Sequence, residues 1–83
     1  MNRLVQQIVA LRRRAEAESA QPGSSAYLPG VVGILNELER SVLAADGHQR
    51  EIIGGLFRLV TDDLSFARSD LGEQILKLCD DLA

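Results

Sequence analysis

The amino-acid sequence predicts an all-α fold: a small bundle of four short helices forming a single domain over residues 1–83. Aliphatic residues recur at helical spacing nearly end to end, in the seams Leu4, Ile8, Leu11, Ala15, then Ile34, Leu35, Leu38, Val42, then Leu71, Ile75, Leu78, Leu82. Aromatic residues make up only 4% of a chain that is 46% hydrophobic, so the core must be aliphatic, which suits helix-on-helix packing better than a sandwich. No segment of useful length alternates with the period of a strand.

The first helix is expected from about Asn2 to about Ala20, with Val5 and Val9 widening its seam and Arg12, Arg13 and Arg14 in the half where the helix dipole favours cations. Residues 21–28, with Pro22-Gly23-Ser24-Ser25, read as a long flexible connection. Pro29 suits the first position of a second helix reaching about Ala45, which buries Val31, Ile34, Leu35, Leu38 and Val42. Gly47 is placed to stop that helix, and Asp46 with Gln49 has the spacing of a capping box for the next.

The third helix, about Gly47 to Val60, carries two apolar stripes, Ile52, Leu56, Leu59 and Ile53, Phe57, Val60, and is therefore expected to be the most buried. Gly54 and Gly55 in its middle cost about 2 kcal/mol together relative to Ala, which close backbone approach by another helix would offset; a hinge is the alternative. Asp62 or Asp63 is suited to cap a new turn. A fourth helix follows from about Asp70 to Leu82, with a break near Ser69 and Asp70 and Glu73 as a capping pair; one continuous helix from Leu64 is the other reading.

Cys79 is the single cysteine, which excludes an internal disulfide framework and a multi-cysteine zinc site and fits a reducing compartment. The longest uncharged stretch, residues 19–36, contains two prolines and cannot be a continuous membrane span, and residues 4–11 are too short for an ordinary secretory core. The expectation is a soluble, cytoplasmic protein without a membrane partner.

Few residues invite chemistry. His48, the only histidine, has no nucleophile or carboxylate at a recognisable spacing and reads as an exposed turn residue. Cys79 reads as a small buried hydrophobe whose acidic neighbours Asp80 and Asp81 disfavour a thiolate. Three successive arginines spread over about 200° of azimuth and form no flat phosphate-binding face; Arg12 and Arg14 are placed to pair with Glu16 and Glu18. A helix-turn-helix over residues 31–60 would need a polar recognition face, and the third helix offers only Gln49, Arg50 and Arg58 among apolar residues. No cofactor or metal is expected, and no loop has the spacing of a calcium-binding hand.

Charge is the most suggestive feature. Residues 1–61 carry seven basic and six acidic side chains, while residues 62–83 carry two basic and six acidic, within a net charge of −3. Asp62, Asp63, Asp70, Glu73, Asp80 and Asp81 are accordingly the candidate partner-binding residues, an acidic C-terminal face suited to a protein with a basic surface and unsuited to nucleic acid or anionic lipid. The expectation is a non-enzymatic protein-binding module, concretely an immunity-type or antitoxin-type inhibitor, or an adaptor, with a toxin as one such partner. The alternative is a structural protein that self-associates, as a homodimer for example, through spare apolar surface on the first or third helix. An enzyme and a helix-turn-helix DNA-binding regulator rank below these.

Overall fold

The computed structural model describes residues 3–82, of which 81% are helical and none lies in a strand. The helices are α1 (Arg3–Ser19), α2 (Leu28–Ala44), α3 (Gln49–Asp62), the single turn α4 (Leu64–Ala67) and α5 (Asp70–Leu82). The expected start of the first helix at Asn2 lies outside the described residues. α1 packs on α2, α2 on α3 and α3 on α5, and α5 closes the ring against α1. Helices with side chains are about 10 Å across, so the 21 × 17 Å section of the molecule is a two-by-two array. Neighbours run antiparallel. Arg14 reaches Asp70 while Ala10 stands near Lys77, and Cys79 meets the Ile53 carbonyl.

The core is aliphatic except for Phe66. Ile8, Ala15, Val31, Leu35, Leu38, Leu56, Val60 and Ile75 are fully enclosed, joined by Leu28, Ile53, Phe66, Leu71 and Leu78. On α1 the buried seam is Val5, Ile8, Leu11 and Ala15, with Leu4 and Val9 half-buried at its edges. α2 buries Leu28, Val31, Leu35, Leu38 and Ser41, while Ile34 and Val42 stand half-buried. The expectation that α3 is the most buried helix is corrected. Only Ile53, Leu56 and Val60 are buried, and Phe57 is 51% exposed. In a two-by-two array α3 has α2, α5 and the single turn α4 beside it, and they cover fewer apolar positions than its two stripes supply.

Helix ends explain the segmentation. Ala45, in the left-handed region at φ 51°, terminates α2 and donates its N–H to the Ser41 and Val42 carbonyls. Gly47 follows at φ 81°. The expected Asp46–Gln49 capping box is absent, because α3 begins at Gln49 itself, after His48. Asp46 instead accepts from the His48 N–H at 3.0 Å, an Asx-type turn, and from the hydroxyl of Ser41, the only buried polar side chain among the described residues.

Asp63 ends α3 in extended conformation and caps α4 by accepting the Phe66 N–H at 3.2 Å. The chain breaks at Ser69, and α5 is capped there rather than by an Asp70–Glu73 pair: the Ser69 hydroxyl donates to the Phe66 carbonyl and accepts the Gly72 N–H at 3.0 Å. The connection between α1 and α2, expected to be flexible, is a run of hydrogen-bonded turns. Ser25 fastens it, donating its hydroxyl to Asp63 at 2.8 Å.

Close backbone approach occurs at a different glycine from those expected. A Cβ on Gly54 or Gly55 would meet nothing within 4 Å, whereas one on Gly72 would lie 1.9 Å from the Phe66 carbonyl oxygen. α4 folds so tightly onto the start of α5 that only glycine fits.

Candidate functional site

The six carboxylates named from the sequence do not form one cluster. Asp63 belongs to the fold. It is held by Ser25 and by the Phe66 N–H, and these hydrogen bonds, Ser25's first, lower its carboxyl pKa below the ordinary value. Asp62, exposed, sits at the C-terminal end of α3. The remaining four stand on α5, where Asp70, Glu73, Asp80 and Asp81 share an exposed sector of roughly 100° with Lys77 among them. Opposite that sector lies the buried seam Leu71, Ile75, Leu78, which fixes the rotation of the helix about its axis.

Asp70 is partly committed to the bundle. It meets Arg14 at 2.7 Å and accepts from Gln74 at 3.1 Å. Hydrogen bonding to Asp70 is the main cause that raises the Arg14 guanidinium above its ordinary pKa. The expected pairs within α1 are present: Arg12 with Glu16 at 3.3 Å and Arg14 with Glu18 at 3.2 Å. Arg12 also spans to Glu39 on α2 at 3.4 Å. Two of the three consecutive arginines thus staple α1 to its neighbours.

Asp80 borders a second feature that the sequence reading missed. Between α3 and α5 runs an open groove of about 600 Å³, lined by Arg50, Ile53, Gly54, Phe57, Leu76, Cys79 and Asp80. Phe57, expected in a buried stripe, borders this groove instead, and Gly54 one turn before it has open space where a side chain would stand. Two further grooves flank α1. Asp81 borders the one against α5, and Leu43, 66% exposed, borders the one against α2.

Cys79 is buried with its thiol 4.0 Å from the Ile53 carbonyl, and burial, rather than the charge of Asp80 and Asp81, pushes its pKa up to about 11. It is a neutral thiol at pH 7. His48 is exposed, with Nδ1 3.8 Å from the Glu51 carboxylate. Among the described residues no group of three or more His, Cys, Asp or Glu is placed to hold a metal ion, and no helix is long and apolar enough to cross a membrane.

Comparison with known proteins finds no matching family model, curated protein or solved structure.

Proposed function

We propose that this chain is a non-enzymatic protein-binding module that docks a partner with a basic surface through the outward face of α5, acting in the cytoplasm as an inhibitor of the immunity or antitoxin kind. One observation carries the reading: Asp70, Glu73 and Asp81, with Asp80 at the edge, project from one sector of a helix whose other side is locked into the core. Carboxylates on a rigid element keep their spacing, so the face can match a fixed pattern of Arg and Lys without ordering a loop on binding. Asp62 and Asp63 are outside the proposed face, Asp63 because it already caps a helix. Support for a role other than catalysis comes from the buried, neutral thiol of Cys79, which is not poised as a nucleophile.

The test is charge reversal. Glu73→Lys with Asp81→Lys alters two exposed side chains and leaves the fold intact. Wild type and variant are used as baits in a lysate of the native cell, and any protein retained by the wild type is purified and its association rate measured against salt. The rate should fall with ionic strength, because attraction is screened beyond about 8 Å at physiological salt. It should fall again on charge reversal. Equal retention and equal rates for the two baits would refute the reading.

A further inference from the structure

The groove between α3 and α5 has walls of opposite charge. Arg50 stands on the α3 wall and Asp80 on the α5 wall, both exposed, and among the described residues neither enters an ion pair. Between them the surface is apolar: Ile53 and Cys79 form buried floor, Leu76 is half-buried, and Phe57 leaves half its surface in water. Gly54 keeps the α3 wall low, since nothing occupies the space where its side chain would stand. α3 and α5 are antiparallel, with Cys79 level with Ile53. Arg50 and Asp80 therefore mark one end of the groove, and Phe57 and Leu76 the other.

This pattern is complementary to itself. A two-fold axis lying along the groove sets the α3 wall of one copy over the α5 wall of the other. That rotation keeps each residue at its own level, so Arg50 meets the partner's Asp80 and Phe57 meets the partner's Leu76, each contact being made twice. Walls of like charge would repel under the same operation. From the opposite charges at one end and the uncovered aromatic at the other, we infer that this groove is the interface of a symmetric homodimer. The inference goes beyond the docking role of α5. The dimer uses Asp80 at the groove edge and leaves Glu73 and Asp81 outward on each copy, so the assembly presents two acidic faces.

Sedimentation equilibrium on the purified full chain, from about 1 μM to about 500 μM to span weak and moderate dimers, tests it. The wild type should be a monomer–dimer system. Arg50→Asp and Asp80→Arg should each raise the dimer dissociation constant at least about tenfold, and the two together should restore it. Phe57→Ser should leave monomer throughout. All three side chains are exposed, and circular dichroism of each variant checks that helicity is kept. A wild type that stays monomeric, species larger than a dimer, a double reversal no better than its single parents, or a dimer indifferent to Phe57→Ser would each overturn the proposal. Glu73→Lys with Asp81→Lys should leave dimerisation in place, which separates a failure here from a failure of the acidic-face reading.

Discussion

Gly72→Ala is the substitution on which local propensity and tertiary structure disagree most. Gly72 lies in the first turn of α5, where Ala is the better helix former by about 1 kcal/mol, so helix propensity alone forecasts a stabilised protein. The contacts of the added methyl group reverse the sign. Its carbon would stand 1.9 Å from the Phe66 carbonyl oxygen, 2.8 Å from the carbonyl carbon and 3.0 Å from the Ala67 Cα, all backbone atoms that no rotamer change can move. α4 must retreat from α5 by about 1 Å before even a tight contact is reached.

That retreat strains a connected set of hydrogen bonds. The Ser69 hydroxyl bridges the Phe66 carbonyl and the Gly72 N–H, the Ser69 N–H donates to the Phe66 carbonyl at 3.0 Å, and Phe66 is anchored in the core at 6% exposure. Overpacking costs about 1 to 3 kcal/mol and loss of a cap about 0.5 to 2, against the gain of about 1 from propensity. The net loss is about 0.5 to 4 kcal/mol. A domain of this size has roughly 4 to 12 kcal/mol in total, and each kcal/mol lowers Tm by about 4 to 8 °C. Urea and thermal unfolding followed by circular dichroism measure the change. Gly54→Ala and Gly55→Ala, made where nothing lies within 4 Å, are the matched controls and should each stabilise by about 0.5 to 1 kcal/mol. A Gly72→Ala protein as stable as the wild type would refute the tight α4–α5 junction.

Three further outcomes follow from the same structure. Ala45→Gly should raise stability by about 1 kcal/mol, since it relieves an L-residue held at φ 51° at the end of α2; an unchanged or lower denaturation midpoint would count against that helix end. Leu38→Ala, at a fully enclosed position of α2, should cost about 2 to 5 kcal/mol in the same urea assay, and a cost below about half a kcal/mol would place Leu38 on the surface. Asp63 and Asp46 have lowered carboxyl pKa values, the first chiefly through Ser25 and the second chiefly through Ser41. Their stabilisation is therefore complete above the unfolded value near pH 4 and is lost as pH falls through the folded values, so the stability gap between wild type and Asp63→Asn should be constant above about pH 5 and narrow below about pH 4. A gap that does not change down to about pH 2 would contradict it.

What the sequence reveals and what it conceals follow one physical division. Seams are local: Ile8, Leu11 and Ala15, or Leu71, Ile75 and Leu78, repeat within one helix, and that repeat is readable because it is what the helix buries. The pairs Arg12–Glu16 and Arg14–Glu18 were legible for the same reason. Facts that depend on a neighbour were not. Nothing around Gly54 and Gly55 distinguishes them from Gly72, yet α4 lies against Gly72 alone. Phe57 repeats in step with Ile53 and Val60, and only the number of helices beside α3 decides that it faces water. Asp63 and Asp81 look alike in the chain. Ser25, 38 positions from Asp63, makes one a structural carboxylate, while Asp81 stays in solvent.

That division bears on how the two proposed surfaces are told apart. α5 presents three sides: a seam in the core, an outward sector with Glu73 and Asp81, and an edge where Asp80 enters the groove beside Leu76. Asp80 is the one carboxylate belonging to both surfaces. Reversing it must weaken basic-partner association and dimerisation together, whereas reversing Glu73 and Asp81 must weaken only the former, and reversing Arg50 only the latter. The acidic face and the groove are therefore distinguishable by which charge restores which equilibrium. Arg50→Asp combined with Asp80→Arg recovers the pair across the dimer axis, but it leaves a cation at the edge of the acidic sector. The restored dimer should accordingly remain a poorer acceptor of a basic partner than the wild type.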